Sequence, residues 1–360
     1  MPTRHTLLPV LVVLPWAISC ATQEASFVAT PDPHAASPSV PEPPLPPGAI
    51  ARLTPYKPST QHHGPQIAYL AFTPDGNTLA AIDELGRIGL WDMTTRKETR
   101  HVDSQMDDVP TLAISPDGRV ITAASNYHKT ISTWDLTSGK ARLKIEGQSQ
   151  VWGLAFSPDG RTLASFHRDS RICLWDFNAG AELHGLQLNV GYSSIPAFSA
   201  DGKRMAARGG GYILVWDVTT GEPVIRISVN DYDRNSGGAV AFSPDGRLLA
   251  LGDYGREYNL SSFSLWDATS GTEIRRLPGK GSWFMTLRFP PDGTVLAGNS
   301  ENTHVVLWDT ATGRELNRVP TTRGLYSYAF AFSPDGRVLA TVMEDAVLLW
   351  DVEALKTGTK

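Results

Sequence analysis

Hydrophobic positions along this chain fall into short runs broken by Gly- and Pro-containing turns. No stretch beyond residue 48 carries ten or more residues with helical spacing. The stretch 151–176 shows the pattern well. Val151 to Ser157 is a short apolar run, Pro158-Asp159-Gly160 reads as a turn, and Arg161–Phe166 and Arg171–Asp176 read as two further strands. Ser157, Pro158 and Gly160 suit positions i, i+1 and i+3 of a type I turn, with proline pre-setting φ. A Gly-containing connection at Asn178–Gly180 leads to a fourth strand.

The same pattern recurs. A Phe-Ser-Pro-Asp-Gly-type turn places its aspartate at Asp75, Asp117, Asp159, Asp201, Asp245, Asp292 and Asp335. A Trp-Asp pair follows each, beginning at Trp91, Trp134, Trp175, Trp216, Trp266, Trp308 and Trp350. Two independent markers in fixed phase, at intervals of 41 to 50 residues, define seven copies of one β unit. A four-stranded sheet cannot cover both of its faces alone, so the units must stack. Twisted four-stranded sheets close radially and leave only short protected edges. The recurring Trp offers a large apolar area to each stacking interface, and its indole N–H calls for a buried acceptor.

The period and the terminal Trp-Asp resemble the WD40 repeat family, over about 300 residues. That resemblance implies an all-β fold: a seven-bladed β-propeller of four-stranded antiparallel blades. After Trp350-Asp351 only nine residues remain, while Ala49-Ile50-Ala51-Arg52-Leu53-Thr54 is a spare strand ahead of the first complete unit. This N-terminal strand is expected to complete the last blade and close the ring. WD40 blades often build a hydrogen-bond network onto the Trp from a Gly-His pair, a Ser or Thr and a turn Asp. The third unit keeps Ser165, Asp169 and Trp175, but Gly147-Gln148 replaces Gly-His, and most other units have lost the turn Asp. A related bacterial propeller family with similar Pro-Asp-Gly turns remains the alternative; the Leu/Val-Trp-Asp strands favour WD40.

The N-terminus has a different character. Residues 1–19 combine Arg4 with an apolar stretch from Leu7 to Ile18, shorter than the ~20 residues a membrane-crossing helix needs, and read as an export signal. Ala17-Ile18-Ser19-Cys20 resembles the lipobox of bacterial lipoproteins, which implies a lipidated Cys20 and a bacterial cell-envelope location. Cleavage as a plain secretory signal, giving a soluble periplasmic or secreted protein, is the alternative. Eight prolines between Pro31 and Pro47 favour extended polyproline II, so residues 20–48 read as a lipid-attachment site plus a Pro-rich linker, and 49–360 as the propeller.

Composition narrows the chemistry. With 32 Lys plus Arg against 37 Asp plus Glu, the formal charge of −5 argues against nucleic acid as a partner. Two cysteines make neither a disulfide scaffold nor a four-thiolate metal site, and Cys173, just before Leu174-Trp175, reads as a small buried hydrophobe. No phosphate-binding loop or nucleophile elbow occurs. The repeated aspartates read as scaffold, because catalysis breaks symmetry whereas these recur in every unit. His128 and His167 fall in corresponding loops of neighbouring units, and without a third ligand they read as solvated. No catalytic residue, metal ligand or cofactor is therefore expected.

What breaks the symmetry is a set of positions expected on one rim. Trp152, Tyr192, Trp283, Met285, Tyr326 and Tyr328 precede the marker turns, and Tyr127 and Arg168 lie between strands. The fifth unit carries an expanded segment with Tyr254, Arg256 and Tyr258. Aromatics and Arg anchor protein interfaces, although several of these residues, Trp152 above all, also suit strand packing. The expectation is a monomeric, non-catalytic protein-interaction scaffold on the envelope, binding a protein or peptide partner and touching membrane only through its lipid. The alternative is an envelope enzyme, or a glycan- or small-ligand-binding propeller using the channel mouth.

Overall fold

The computed structural model describes residues 27–29, 44–53, 67–83, 85–106, 111–125, 127–147, 149–188, 195–209, 211–229, 238–253, 262–278, 286–300, 303–321, 330–343 and 346–358. The apolar segment 1–19 and Cys20 lie outside the described residues. Seven antiparallel sheets follow one another around a ring, each running from an inner strand to an outer one. In the third blade the strands are Val151–Phe156, Thr162–His167, Arg171–Asp176 and Ala181–Gln187.

The ring closes as the spare strand requires. Ala49–Leu53 pairs with Ala346–Asp351 as the outer strand of blade seven, with Leu53 opposite Val347 and Ala49 opposite Trp350. Two features lie outside the expectation. Phe27–Ala29, within the stretch read as linker, adds a fifth strand to blade one against Lys97–Asp103. The last residues form a short helix, Val352–Thr357, whose N-cap is the Trp-Asp aspartate Asp351; its side chain accepts from the Ala354 N–H.

Seven apolar clusters fill the seven seams between blades. Each contains one Trp of the repeated pair, from the blade that follows the seam: Trp134 between blades one and two, Trp175 between two and three, and Trp91 between seven and one. All seven are buried, as a stacking anchor must be. The closure strand contributes Ala51 and Leu53 to the seam with blade one. At the Trp of every blade the pairing with the outer strand slips register, a bulge that increases local twist. In blades three, four, five and seven the bulge turns Leu183, Val224, Ile274 and Ile50 outward, where they are exposed. In blade six the equivalent Leu316 packs in the cluster that also holds Leu355 of the terminal helix.

The marker turns form a second ring at the opposite end of the strands from the residue-127 and residue-168 turns. Gly160 N–H donates to the Ser157 carbonyl at 2.9 Å, the i+3 to i bond of the expected turn. Its φ of +69° explains the glycine, and a Cβ there would meet Pro116 of the preceding turn at 3.3 Å. The same Gly-on-Pro stacking joins Gly118 to Pro74, Gly202 to Pro158, Gly293 to Pro244 and Gly336 to Pro291, and Gly76 to Pro334 carries it across the closure. The exception follows from sequence. Blade four has Ala200 in place of Pro, and Arg204 fills the step by donating to the carbonyls of Gly246 at 3.1 Å and Ala268 at 3.0 Å.

Candidate functional site

The repeated carboxylates are engaged in building turns or, at Asp351, in capping the terminal helix. In blade three the Ser157 hydroxyl donates to Asp159 Oδ1 at 2.6 Å, and the same oxygen accepts from Arg161 N–H. The pattern recurs at Asp75, Asp117, Asp201, Asp245 and Asp335. These hydroxyl bonds, with the backbone N–H two residues on, hold the carboxyls below the ordinary range. Blade six has Pro290 in place of the Ser; there Thr294 and Lys356 of the terminal helix hold Asp292. The aspartates after Trp cap the next turn, as when Asp92 Oδ1 accepts from the N–H and hydroxyl of Thr95. Groups already committed to fixed donors are poorly placed to move protons.

Blade three keeps the buried polar network in altered form. Trp175 Nε1–H donates to Ser165 Oγ at 2.7 Å, and Ser165 Oγ lies 2.8 Å from His167 Nε2. His167 Nδ1 lies 3.1 Å from the Ser149 carbonyl, which can only accept, so Nδ1 carries the proton and Nε2 accepts from Ser165. The imidazole missing from Gly147-Gln148 is thus supplied from within the strand. Gly147 leaves room for it, since a Cβ there would sit 2.9 Å from His167 Cε1. The expectation of a solvated His167 is corrected: the ring is 2% exposed, and burial lowers its pKa. His128 is exposed, as expected. Cys173 is buried and its thiol is pushed up to about 12 by burial, so it is no nucleophile. Among the described residues no group of three or more His, Cys, Asp or Glu is arranged to hold a metal ion.

Of the expected rim residues, three fall on described positions. Tyr127 is 69% exposed at a turn whose backbone is fixed by Ser125 Oγ, which accepts from the Tyr127 N–H at 3.1 Å. Arg168 is exposed and donates to Gln150 Oε1 at 3.1 Å. Trp152 meets Phe166 edge-on at 6.1 Å and packs into the seam between blades three and four, so its indole serves as packing. Tyr192, Trp283, Met285, Tyr326, Tyr328, Tyr254, Arg256 and Tyr258 lie outside the described residues.

The ring also encloses a channel of about 520 Å³. One position of the inner strand, immediately before the marker Phe or Ile, is Ala71, Ala113, Ala155, Ala197, Ala241 and Ala331 in six blades, and Arg288 in blade six. Strand pairing puts all seven at one level, each opposite the corresponding residue of the next strand. Arg288 Nη2 donates to the phenol oxygen of Tyr69 at 2.6 Å, with the guanidinium 5.6 Å from the ring centroid. Tyr69 belongs to blade one, so the contact passes in front of blade seven. The signal was present in the sequence as one Arg among six Ala, at a position between the turn and the rim.

Comparison with known proteins agrees with this architecture. The family profile WD40 (WD domain, G-beta repeat) matches residues 139–176 and 271–309. The chain is 23% identical over 292 residues to THO complex subunit 3 of Arabidopsis thaliana, spanning 79% of this chain and 89% of that protein. It is 34% identical over 133 residues to Coronin-7 of Pongo abelii, spanning 34% of this chain and 14% of that protein. It is 26% identical over 228 residues to apoptotic protease-activating factor 1 of Rattus norvegicus, covering 60% of this chain and 18% of that one. A chain of Kuenenia stuttgartiensis hydrazine synthase superposes with a TM-score of 0.69 at 18% identity, over 82% of this chain and 99% of that one, a likeness of fold. The protein is a seven-bladed β-propeller, two stretches of which match the WD40 repeat.

Proposed function

We propose that this propeller is a non-catalytic scaffold that binds a protein partner through the rim bearing Tyr127 and Arg168, held at a bacterial cell envelope by a lipid on Cys20. The observation that carries the reading is the contrast between the repeated and the unrepeated polar groups. Every repeated aspartate is bound into a turn or, at Asp351, a helix cap, whereas the side chains that differ from blade to blade include an exposed aromatic and an exposed Arg on one end of the ring. Similarity to a named subunit of a multiprotein complex supports the same direction. The envelope part rests on the N-terminal sequence, where Ala17-Ile18-Ser19-Cys20 resembles a lipobox.

Capture from envelope extracts tests the rim. Tagged wild-type protein is expected to retain a partner that a Tyr127→Ala, Arg168→Glu double variant loses while keeping its melting temperature. Retention by a variant that also replaces Trp283, Tyr326 and Tyr328 would refute the rim reading. The anchor is tested separately by intact mass: a diacylglyceryl-sized increment on Cys20 that disappears in Cys20→Ala is expected. An unmodified, freely secreted chain would refute it.

A further inference from the structure

We propose that the channel binds a small molecule bearing a single carboxylate on an apolar body, with Arg288 as the anion anchor and Tyr69 as the residue that positions its guanidinium. Arg288 is the one charged residue among the described channel-lining side chains; the rest are dominated by Leu, Ala, Ile, Phe and Pro. No carboxylate of the protein is paired with it among the described residues, and its Nε is buried without a hydrogen-bond partner. A buried guanidinium nitrogen left without an acceptor is costly unless a ligand completes it.

A second observation points the same way. Thr286 and Arg288 alternate along one strand, and Leu287 pairs with Gly298 and Arg288 with Ala297, so Asn299 shares the face that carries Arg288. That face packs toward blade seven, since Ala297 belongs to the seam with Phe330 and Leu339. Asn299 is 1% exposed; its Oδ1 accepts from the Thr286 N–H at 2.8 Å, and its Nδ2 has no acceptor. Arg288 Nε thus stands without an acceptor in the channel wall, and Asn299 Nδ2 without one in the adjoining seam, an excess of donors that selects an anionic or acceptor-rich ligand over a cation. Six Ala at the level of Arg288 leave the space for an apolar body, and a volume of about 520 Å³ falls in the range of small-molecule sites. The guanidinium fork suits a carboxylate geometrically, and the Tyr69 contact fixes its orientation. The inference is independent of the rim: a propeller can hold a ligand in its channel whether or not its rim binds protein.

The test uses the full chain and three probes of one size: hexanoate, 1-hexanol and hexylammonium, titrated calorimetrically. Hexanoate is expected to bind at least about tenfold tighter than hexanol, and hexylammonium not at all, since a charge-assisted bond in an apolar site is worth roughly ten- to a hundredfold. Arg288→Met is expected to reduce hexanoate to the level of hexanol, and Tyr69→Phe to weaken hexanoate several-fold while leaving hexanol unchanged. Equal affinity for acid and alcohol, no hexanoate binding at millimolar concentration, or unchanged hexanoate binding in both variants overturns the proposal. Should Arg288→Met fail to fold, the wild-type probe comparison and Tyr69→Phe still decide it.

Discussion

Trp91 and Trp175 hold equivalent places in their blades but seat their rings differently: the Trp91 ring lies over Gly89, where a Cβ would meet it at 2.5 Å, and blade three has Cys173 at that place. Trp175 donates to Ser165, whereas the matching residue in blade one is Ala81, and the Trp91 indole N–H is buried with no acceptor. Other blades find other solutions: Trp350 donates to Thr341 and Trp266 to Ser264 on its own strand. Ser165→Ala should lower stability by about 1–3 kcal/mol, because it strands both an indole donor and an imidazole acceptor. Urea titration against the wild-type protein checks the sign, and an unchanged midpoint would show that the network contributes nothing. These details were only partly legible. Ser165 and Trp175 stand at familiar spacing, but His167 replaces a loop histidine from inside a strand, a substitution that only the folded register reveals. Arg288 stands out from six alanines in the sequence, but only the closed ring shows that this inner-strand position lines the channel.

At the scale of the element, the Pro-Asp-Gly turn was readable because it is local: proline, glycine and a Ser or Thr two residues before Asp determine it with no tertiary help. The terminal helix was not, since six residues carry too little periodicity and only the cap by Asp351 and the packing of Leu355 sustain it. The turns also set a pH response. Their aspartates have pKa values depressed by folding, so their contribution is present above the unfolded value and is lost as pH falls through the folded one. Burial lowers His101 and His167 as well, so the unfolded chain takes up those protons first. The melting temperature is expected to decline in two stages on acidification, the first beginning below about pH 6.5 and the second below about pH 4. A curve flat from pH 7 to pH 5 would contradict the buried, neutral state of His167.

For the whole molecule, the seven-fold count and the closure strand follow from arithmetic on the sequence, because a repeat with a missing outer strand at one end and a surplus strand at the other has a single economical solution. What arithmetic could not supply is how the steps between turns are tied, such as Arg204 bridging where Ala200 interrupts the prolines. Deleting residues 1–53 should remove Ala51 and Leu53 from the seam between blades seven and one and expose the edge of Ala346–Asp351. Calorimetry is expected to show a lower, broadened transition, whereas deletion of residues 1–43 should preserve a single sharp one. Equal melting of both truncations would mean that the seam holds without its closing strand.

The seam is sealed by the same antiparallel pairing and the same Gly-on-Pro step that join all other neighbours except blades four and five, Gly76 resting on Pro334 as Gly118 rests on Pro74. The contacts that hold this step are thus those of the other steps, with no need of a covalent link between Ala49 and the strand it completes. A permuted gene that linked the present C-terminal helix to Ala49 and opened at another marker turn would encode the same circle, cut in a different place.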